Sequence, residues 1–340
     1  MTVPGALRVA LINRGTMSKY LFRVGLAAVA AASLSACSTD ILTPAMRPLP
    51  KETMMLLGKK GMKPEAPIFV RIFKEESELE VWKQRDDGRF YHFKTYPICN
   101  WSGDLGPKER QGDKQAPEGF YTISNQQMNP NSGFHLAFNL GYPNAYDRAN
   151  RRTGEFLMVH GKCRSAGCYA MTDALMEEIY GLAREQFIGG HESFQVHAYP
   201  FRMTAEKMAQ HRKHRWYPFW VTMKEGYDYF ETTRQPPQVA VCERKYLVNV
   251  NFMGNARVDA DGQCPRYERL KYEPFQPSGR EQIAEVRTMA PGPKMRAMAA
   301  FDTSGQPSAE QTPASVATSS PGVLGRSNAP VGLGFSGRTD

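Results

Sequence analysis

The chain has 340 residues, 41% of them hydrophobic, and a formal net charge of +9. That length exceeds one average domain and suffices for a sizeable core. Its lysines and arginines are scattered apart from one run at 211–215. A nucleic-acid binder would gather them on one face, so no nucleic-acid partner is expected, and mild basicity suits anionic headgroups and cell-wall carboxylates instead.

Residues 1–36 read as an export signal. Lys19 and Arg23 precede an alanine-rich apolar run, which ends in Leu34-Ser-Ala-Cys37. A basic front, a short apolar stretch and a small-residue cleavage site make a signal peptide. The run is short against the roughly 20 residues of a bilayer span. The ending resembles the lipobox of bacterial lipoproteins, which makes Cys37 the expected lipidation site. Met17 would give a more compact leader than Met1. The expected location is the periplasm, anchored to the membrane by lipid. Ser38, with no aspartate after the cysteine, favours the outer membrane by resemblance to lipoprotein sorting.

Residues 37–64 are polar and Met-rich and read as a tether. The expected catalytic domain, 65–202, is a succession of strand patterns. Pro67–Phe73, Leu79–Trp82 and Phe90–Tyr96 are β-rich or alternating, with a turn at Arg85–Gly88. A Gly/Pro/Lys loop spans Gly103–Glu118. Strands follow at Phe120–Ile123, Phe134–Phe138, Glu155–Val159 and Phe194–Tyr199. Thr172 or Asp173 can cap a helix whose apolar stripe is Leu175, Ile179 and Leu182, ended by Gly189-Gly190. An extension, 203–278, begins with helices at Ala205–His211 and Pro218–Phe230 and closes with a small hairpin around Val239 and Tyr246. Residues 279–340, rich in Ala, Ser, Pro, Gly and Thr, cannot bury a core and read as a disordered tail. The fold class is α+β, mostly β.

His160-Gly-Lys-Cys163-Arg-Ser165-Ala-Gly167-Cys168 carries the chemistry. It places an imidazole and a thiol on a glycine-containing loop behind an apolar run. A thiol is only a few per cent thiolate at neutral pH, so a neighbouring base must activate it. Cys168 is the candidate nucleophile and His160 the candidate general base. Gly167 lets the backbone approach closely and aim amides at an oxyanion. A zinc site built from His160, Cys163 and Cys168 lacks a fourth ligand nearby, so no metal and no cofactor is expected.

Six cysteines are present. With Cys37 and Cys168 assigned, four remain for two disulfides in an oxidising compartment. Cys242 and Cys264 flank a hairpin and pair first. Cys99 with Cys163 follows by elimination, although sequence does not fix connectivity.

The region 67–200 resembles the YkuD-type L,D-transpeptidase catalytic domain, in its YafK-like murein group. The resemblance runs in order through Phe73–Trp82, Tyr96-Pro-Ile-Cys99, Leu105–Lys108, Pro117–Tyr121, Phe138–Asn144 and the His160–Cys168 block. It continues through Pro200–Met203 and Trp216–Trp220 to about residue 235. It implies a mixed β-sheet or sandwich domain that acts on peptidoglycan stem peptides. A cysteine thiolate displaces the terminal D-Ala from diaminopimelate as a thioester, and an amine or water resolves it. Carried over by position, Cys168 is the nucleophile and His160 the base. The Gly161 carbonyl orients the ring, the Gly167 and Cys168 amides form the oxyanion hole, and Ser165 braces the loop. The commoner family motif has a second histidine where Ala166 stands and Arg or Asn where Ala170 stands, with a longer gap after the base. The YafK-like group shares the short form.

Tyr142, Asn144 and Arg202 are candidate substrate contacts, with plain turn or solvent roles as the alternative. Lys108 and Asp147 are similar cases, and His135 and His197 read as sheet or core histidines. The functional alternatives are a hydrolase or amidase of the same fold that releases a wall-linked lipoprotein, and a non-catalytic wall-binding lipoprotein.

Overall fold

The computed structural model describes residues 42–254 and 257–276. The signal segment, Cys37 and the tail after 278 lie outside the described residues. Ten strands build the catalytic region: β1 (Ile68–Phe73), β2 (Glu78–Gln84), β3 (Phe90–Pro97), β4 (Asn100–Trp101), β5 (Gly119–Ser124), β6 (Met128–Asn129), β7 (Ala137–Asn139), β8 (Met158–His160), β9 (Tyr169–Ala170) and β10 (Ser193–Tyr199). They form two five-stranded sheets, ordered β3-β2-β1-β10-β5 and β4-β9-β8-β7-β6. Each sheet is antiparallel except for one parallel pair, β1 with β10 and β8 with β9. The architecture is α+β and mostly strand.

β1, Ile-Phe-Val-Arg-Ile-Phe, is buried along its whole length, which explains its lack of polar alternation. Ile68, Val70 and Ile72 enter one core with Phe138, Val159, Tyr169 and the helix residues Ile179 and Leu182. The other face meets the helix Tyr217–Thr233: Phe69 packs on Phe230, and Phe73 joins Trp220 and Met223. The first sheet is thus a middle layer. The second sheet and the helix Asp173–Ile188 cover one side, and the C-terminal extension covers the other.

Charges are buried in that second interface, and each is paired. Arg71 bonds Glu80 at 2.8 Å and Glu231 at 2.6 Å. Its guanidinium also lies against the Trp82 and Phe230 rings, at 4.9 and 4.8 Å. Burial would neutralise Glu80, but the Arg71 and Arg202 charges outweigh it and hold its carboxyl at about 2. Lys74 donates to the Asp104, Gly106 and Ala116 carbonyls and to Glu118. Glu118 in turn accepts from Trp220 Nε1 at 2.8 Å. This network anchors the loop 103–118 to both the sheet and the extension.

The tether expectation fails for its described part. Residues Lys51–Lys59 form a helix, and Ala45, Leu57 and Met62 are buried in the main core. Thr53 Oγ1 bonds Glu178 at 2.8 Å, Lys60 donates to the His92 and Phe93 carbonyls, and Arg184 reaches back to the carbonyls of Ala45 and Arg47. These links close polar ends and fix a segment with little apolar surface of its own. In the extension, helices occupy Ala205–Gln210 and Tyr217–Thr233, and β11 (Val239–Cys242) pairs with β12 (Lys245–Val248). A further small hairpin joins β13 (Val250–Phe252) to β14 (Tyr267–Arg269). Among the described residues no helix is long and apolar enough to cross a membrane.

Candidate active site

β8 ends in His160. It pairs antiparallel with β7, Ala137 facing His160, and parallel with β9, Ala170 facing His160. Cys168 directly precedes β9, so the register extended one step sets it beside Met158. Cys168 and His160 are thus two residues out of register on neighbouring strands, with the sulfur turned to the backbone at Met158 N in β8 and at Phe156 O just before it.

His160 is 3% exposed. Its Nδ1 donates to Gly161 O at 2.6 Å, which fixes the tautomer and leaves the lone pair on Nε2. The Phe134 ring lies against it, centroids 4.7 Å apart. Burial pushes the imidazole pKa below its ordinary 6.5, and the Gly161 hydrogen bond opposes this only in part. The neutral ring, the form able to take a proton, is thus the resting form at neutral pH.

Cys168 is the one free cysteine among the described residues. Its Sγ accepts from Met158 N at 3.4 Å and donates to Phe156 O at 3.7 Å. Among the described residues no hydrogen bond joins it to His160. Burial pushes the thiol above its ordinary 9.0, while the Met158 amide and the Lys108 charge pull it down. These directions describe a neutral thiol and a neutral imidazole, not a preformed ion pair, so the thiol needs the base that the motif offers.

The loop between the two residues is braced on all sides. Ser165 Oγ donates to Cys168 O at 2.7 Å and contacts Ser102 Oγ at 3.2 Å. Cys163 is joined to Cys99 by a disulfide, and Cys99 N bonds Ala170 O at 2.9 Å. That disulfide removes Cys163 as a metal ligand, which ends the zinc alternative. The second bridge, Cys242–Cys264, also forms. Gly167 has φ +122°, and a Cβ there would meet Leu157 Cδ1 at 3.2 Å; glycine suits both the angle and the space. Its amide bonds Ser165 Oγ at 3.3 Å. Of the two expected oxyanion donors, only the Cys168 amide is without a partner among the described residues.

The three expected substrate contacts are committed elsewhere. Tyr142 is buried and donates to Lys108 O at 3.1 Å. Asn144 caps the helix Ala145–Ala149 through Asp147 N and also bonds Phe120 O and Tyr246 Oη. Arg202 pairs with Glu78 at 2.6 Å and Glu80 at 2.7 Å. A polar side chain in a loop has the same sequence signature whether it caps, pairs or binds, and here the packing claims all three. His197 is a core residue held by Tyr199 and Gln195, as its strand position implies. His135 instead meets Glu177 at 2.7 Å. Lys108 is buried on Arg110 O and Asp113, where its charge reaches Cys168 rather than solvent.

Sequence reasoning missed two exposed aromatics beside the sulfur and the ring. Phe134 is 46% and Phe156 63% exposed. The sequence pattern reads both as strand residues. The backbone leaves strand geometry there, with φ +72° at His135 and +57° at Phe156. A bulky residue at positive φ is an outlier, and composition carries no signal for it.

Among solved structures, similarity is found to the helical cell shape determining protein Pgp2 of Campylobacter jejuni, with 16% identity over 56% of this chain and 80% of that one, and TM-score 0.32. Bd1075 of Bdellovibrio bacteriovorus matches at 20% identity over 49% of this chain and 59% of its own, TM-score 0.28. YafK of Escherichia coli K12, whose name as an L,D-transpeptidase is provisional, is 45% identical over 184 residues, 54% of this chain and 74% of its own. The YkuD L,D-transpeptidase catalytic domain matches residues 69–188, from β1 to the end of the helix after the Cys168 loop. On the YafK match and this domain match together, the chain belongs to the YkuD L,D-transpeptidase catalytic domain family.

Proposed function

We propose that this protein is a cysteine-dependent L,D-transpeptidase acting on diaminopimelate-containing stem peptides of peptidoglycan. The reading is carried by one observation: Gly161 O holds Nδ1 of His160, so Nε2 is left as the proton acceptor, on the strand that pairs with β9 directly after Cys168. The resting thiol is turned toward Phe156 O. In this reading, rotation about its Cα–Cβ bond breaks the contacts to Met158 N and Phe156 O and frees Sγ for the ring. Nε2 takes the thiol proton as sulfur attacks the diaminopimelate carbonyl. The Cys168 amide stabilises the oxyanion. His160 then returns the proton to the leaving D-Ala amine, and a thioester remains on sulfur. An acceptor amine resolves it by transpeptidation.

Family membership supports the transpeptidase class. The lipid anchor at Cys37, the periplasmic location and attachment to the outer membrane belong to this proposal on the sequence alone. A second reading is favoured by the exposure of Phe134 and Phe156 beside the site: water resolves the thioester, and the enzyme acts as an amidase releasing a wall-linked lipoprotein. Incubation of purified protein with peptidoglycan sacculi, with and without attached lipoprotein, separates the two by muropeptide analysis. New diaminopimelate–diaminopimelate cross-links are expected of the first and loss of protein-linked muropeptides of the second. Unchanged products with Cys168→Ala would remove both readings, whereas a Cys168 unreactive to thiol reagents, with peptidoglycan binding retained, would leave a wall-binding protein.

A further inference from the structure

The hydrogen bond that orients His160 is one end of a longer link. Its acceptor, Gly161 O, belongs to the same planar peptide unit as the Lys162 N–H. That N–H donates to Asp173 Oδ1 at 2.7 Å. Asp173 therefore fixes the plane in which the carbonyl meets the imidazole. A carboxylate accepting from an amide also polarises it, and hydrogen bonds in series strengthen one another by on the order of 10–30%. The negative charge thus acts on His160 through one peptide.

Four observations show that the link is built into the fold. A Cβ at Gly161 would lie 2.6 Å from Asp173 Oδ1, 3.0 Å from Phe134 O and 3.1 Å from His135 Cβ, so only glycine admits the carboxylate this closely. Gly161 N is itself held by Phe134 O at 3.0 Å and Leu136 O at 3.2 Å. Lys162 and Cys163 continue at left-handed φ values of 63° and 47°, and the disulfide to Cys99 holds that conformation. Asp173 is also not consumed by capping: Thr172 caps the helix, its side chain accepting from Leu175 N.

The charged groups facing these residues are few. His135 Nδ1 lies 4.0 Å from Asp173 Oδ2, and its Nε2 lies 2.7 Å from Glu177, which also pairs with Arg47 at 3.1 Å. Lys162 Nζ turns away to Gly133 O. His160 itself meets the Phe134 ring and Gly161 O, and the charge felt at Cys168 is that of Lys108.

We infer that Asp173 is a positioning residue for the catalytic base: through the Gly161–Lys162 peptide it fixes the tautomer and orientation of His160 and raises its basicity. No proton crosses the amide; His160 alone takes and returns it. The inference rests on the Cys168–His160 reading proposed above.

The test follows the His160 ring by NMR titration, and Cys168 by its alkylation rate with iodoacetamide at neutral pH, localised by peptide mapping. Wild type is compared with Asp173→Asn, Asp173→Ala and His160→Gln. Loss of the carboxylate is expected to lower the His160 pKa and slow alkylation about threefold, as half a pKa unit implies. The asparagine variant, which keeps an acceptor for Lys162 N–H, should fall between wild type and alanine. Unfolding midpoints should change little. An unaltered His160 titration and alkylation rate in Asp173→Ala, with His160→Gln still slow, would overturn the Asp173 link alone. A loss that tracks the unfolding midpoint, with asparagine as poor as alanine, would also overturn it. If His160→Gln alkylates like wild type, the Cys168–His160 reading falls and this inference with it.

Discussion

Replacing His160 with glutamine is expected to slow thioester formation by about 10²–10⁴-fold, the usual contribution of a positioned general base. The effect is large because the resting sulfur is protonated. Burial holds the Cys168 thiol above 9.0 and the His160 ring below 6.5, so the sulfur needs a base to take its proton. The pH dependence follows with a definite sign. The rate should rise as pH increases through the depressed His160 value, so its acid limb lies below 6.5. It should then stay level across neutral pH, because the thiol ionises only above 9.0. A resting thiolate–imidazolium pair would place the histidine limb on the alkaline side instead. Initial rates with a diaminopimelate tetrapeptide between mildly acidic and alkaline pH distinguish the two. Circular dichroism of the variant checks that the β7-β8-β9 layer is intact.

Opening the Cys99–Cys163 bridge is expected to cost both stability and activity. The bridge spans 64 residues, and in the chain-entropy model a loop of that size is worth about 4 kcal/mol. The second consequence is local. Cys163 sits between base and nucleophile, directly after the Gly161–Lys162 peptide, at a left-handed φ that a free chain would relax. The paired Cys99→Ser, Cys163→Ser variant should lower the urea midpoint and also reduce kcat under conditions where the protein is still fully folded. The same substitutions at Cys242 and Cys264, which bridge the small C-terminal hairpin away from the catalytic loop, should lower stability without the kcat loss. Equal kcat losses for both pairs would argue against a special role for the first bridge.

Much of the scaffold was legible because its elements carry strong local signals. β1, β2, β3, β5 and β10 coincide with the predicted runs to within a few residues, since buried strands of a middle sheet are rich in Val, Ile, Phe and Tyr. The helix after the motif is announced by Thr172 and closed by Gly189. The helix Lys51–Lys59 was missed because it buries only Thr53 and Leu57 fully and is held by hydrogen bonds to residues far along the chain. The pairing of Arg202 was not legible for a related reason: its partners Glu78 and Glu80 lie on β2, and only the folded topology brings them to the loop after β10.

The site shows the same division. Cys168, His160, Gly161, Ser165 and Gly167 stand out because the motif places them close in sequence. Phe134, Phe156 and Asp173 do not stand out. Phe134 reaches His160 only after β7 pairs with β8, and Asp173 reaches Lys162 only when the helix folds back over the loop. The chain departs from strand geometry at His135 and Phe156, and periodicity reads straight through both positions.

The central claim concerns one sulfur, and intact-mass spectrometry of the acid-quenched enzyme addresses it. After mixing with a diaminopimelate tetrapeptide, wild type should carry an adduct equal to the donor less its terminal alanine, mapped to Cys168. The adduct should accumulate in the absence of an acceptor amine and be absent from Cys168→Ala. Turnover by Cys168→Ala, or an adduct mapped to any other residue, would contradict the account.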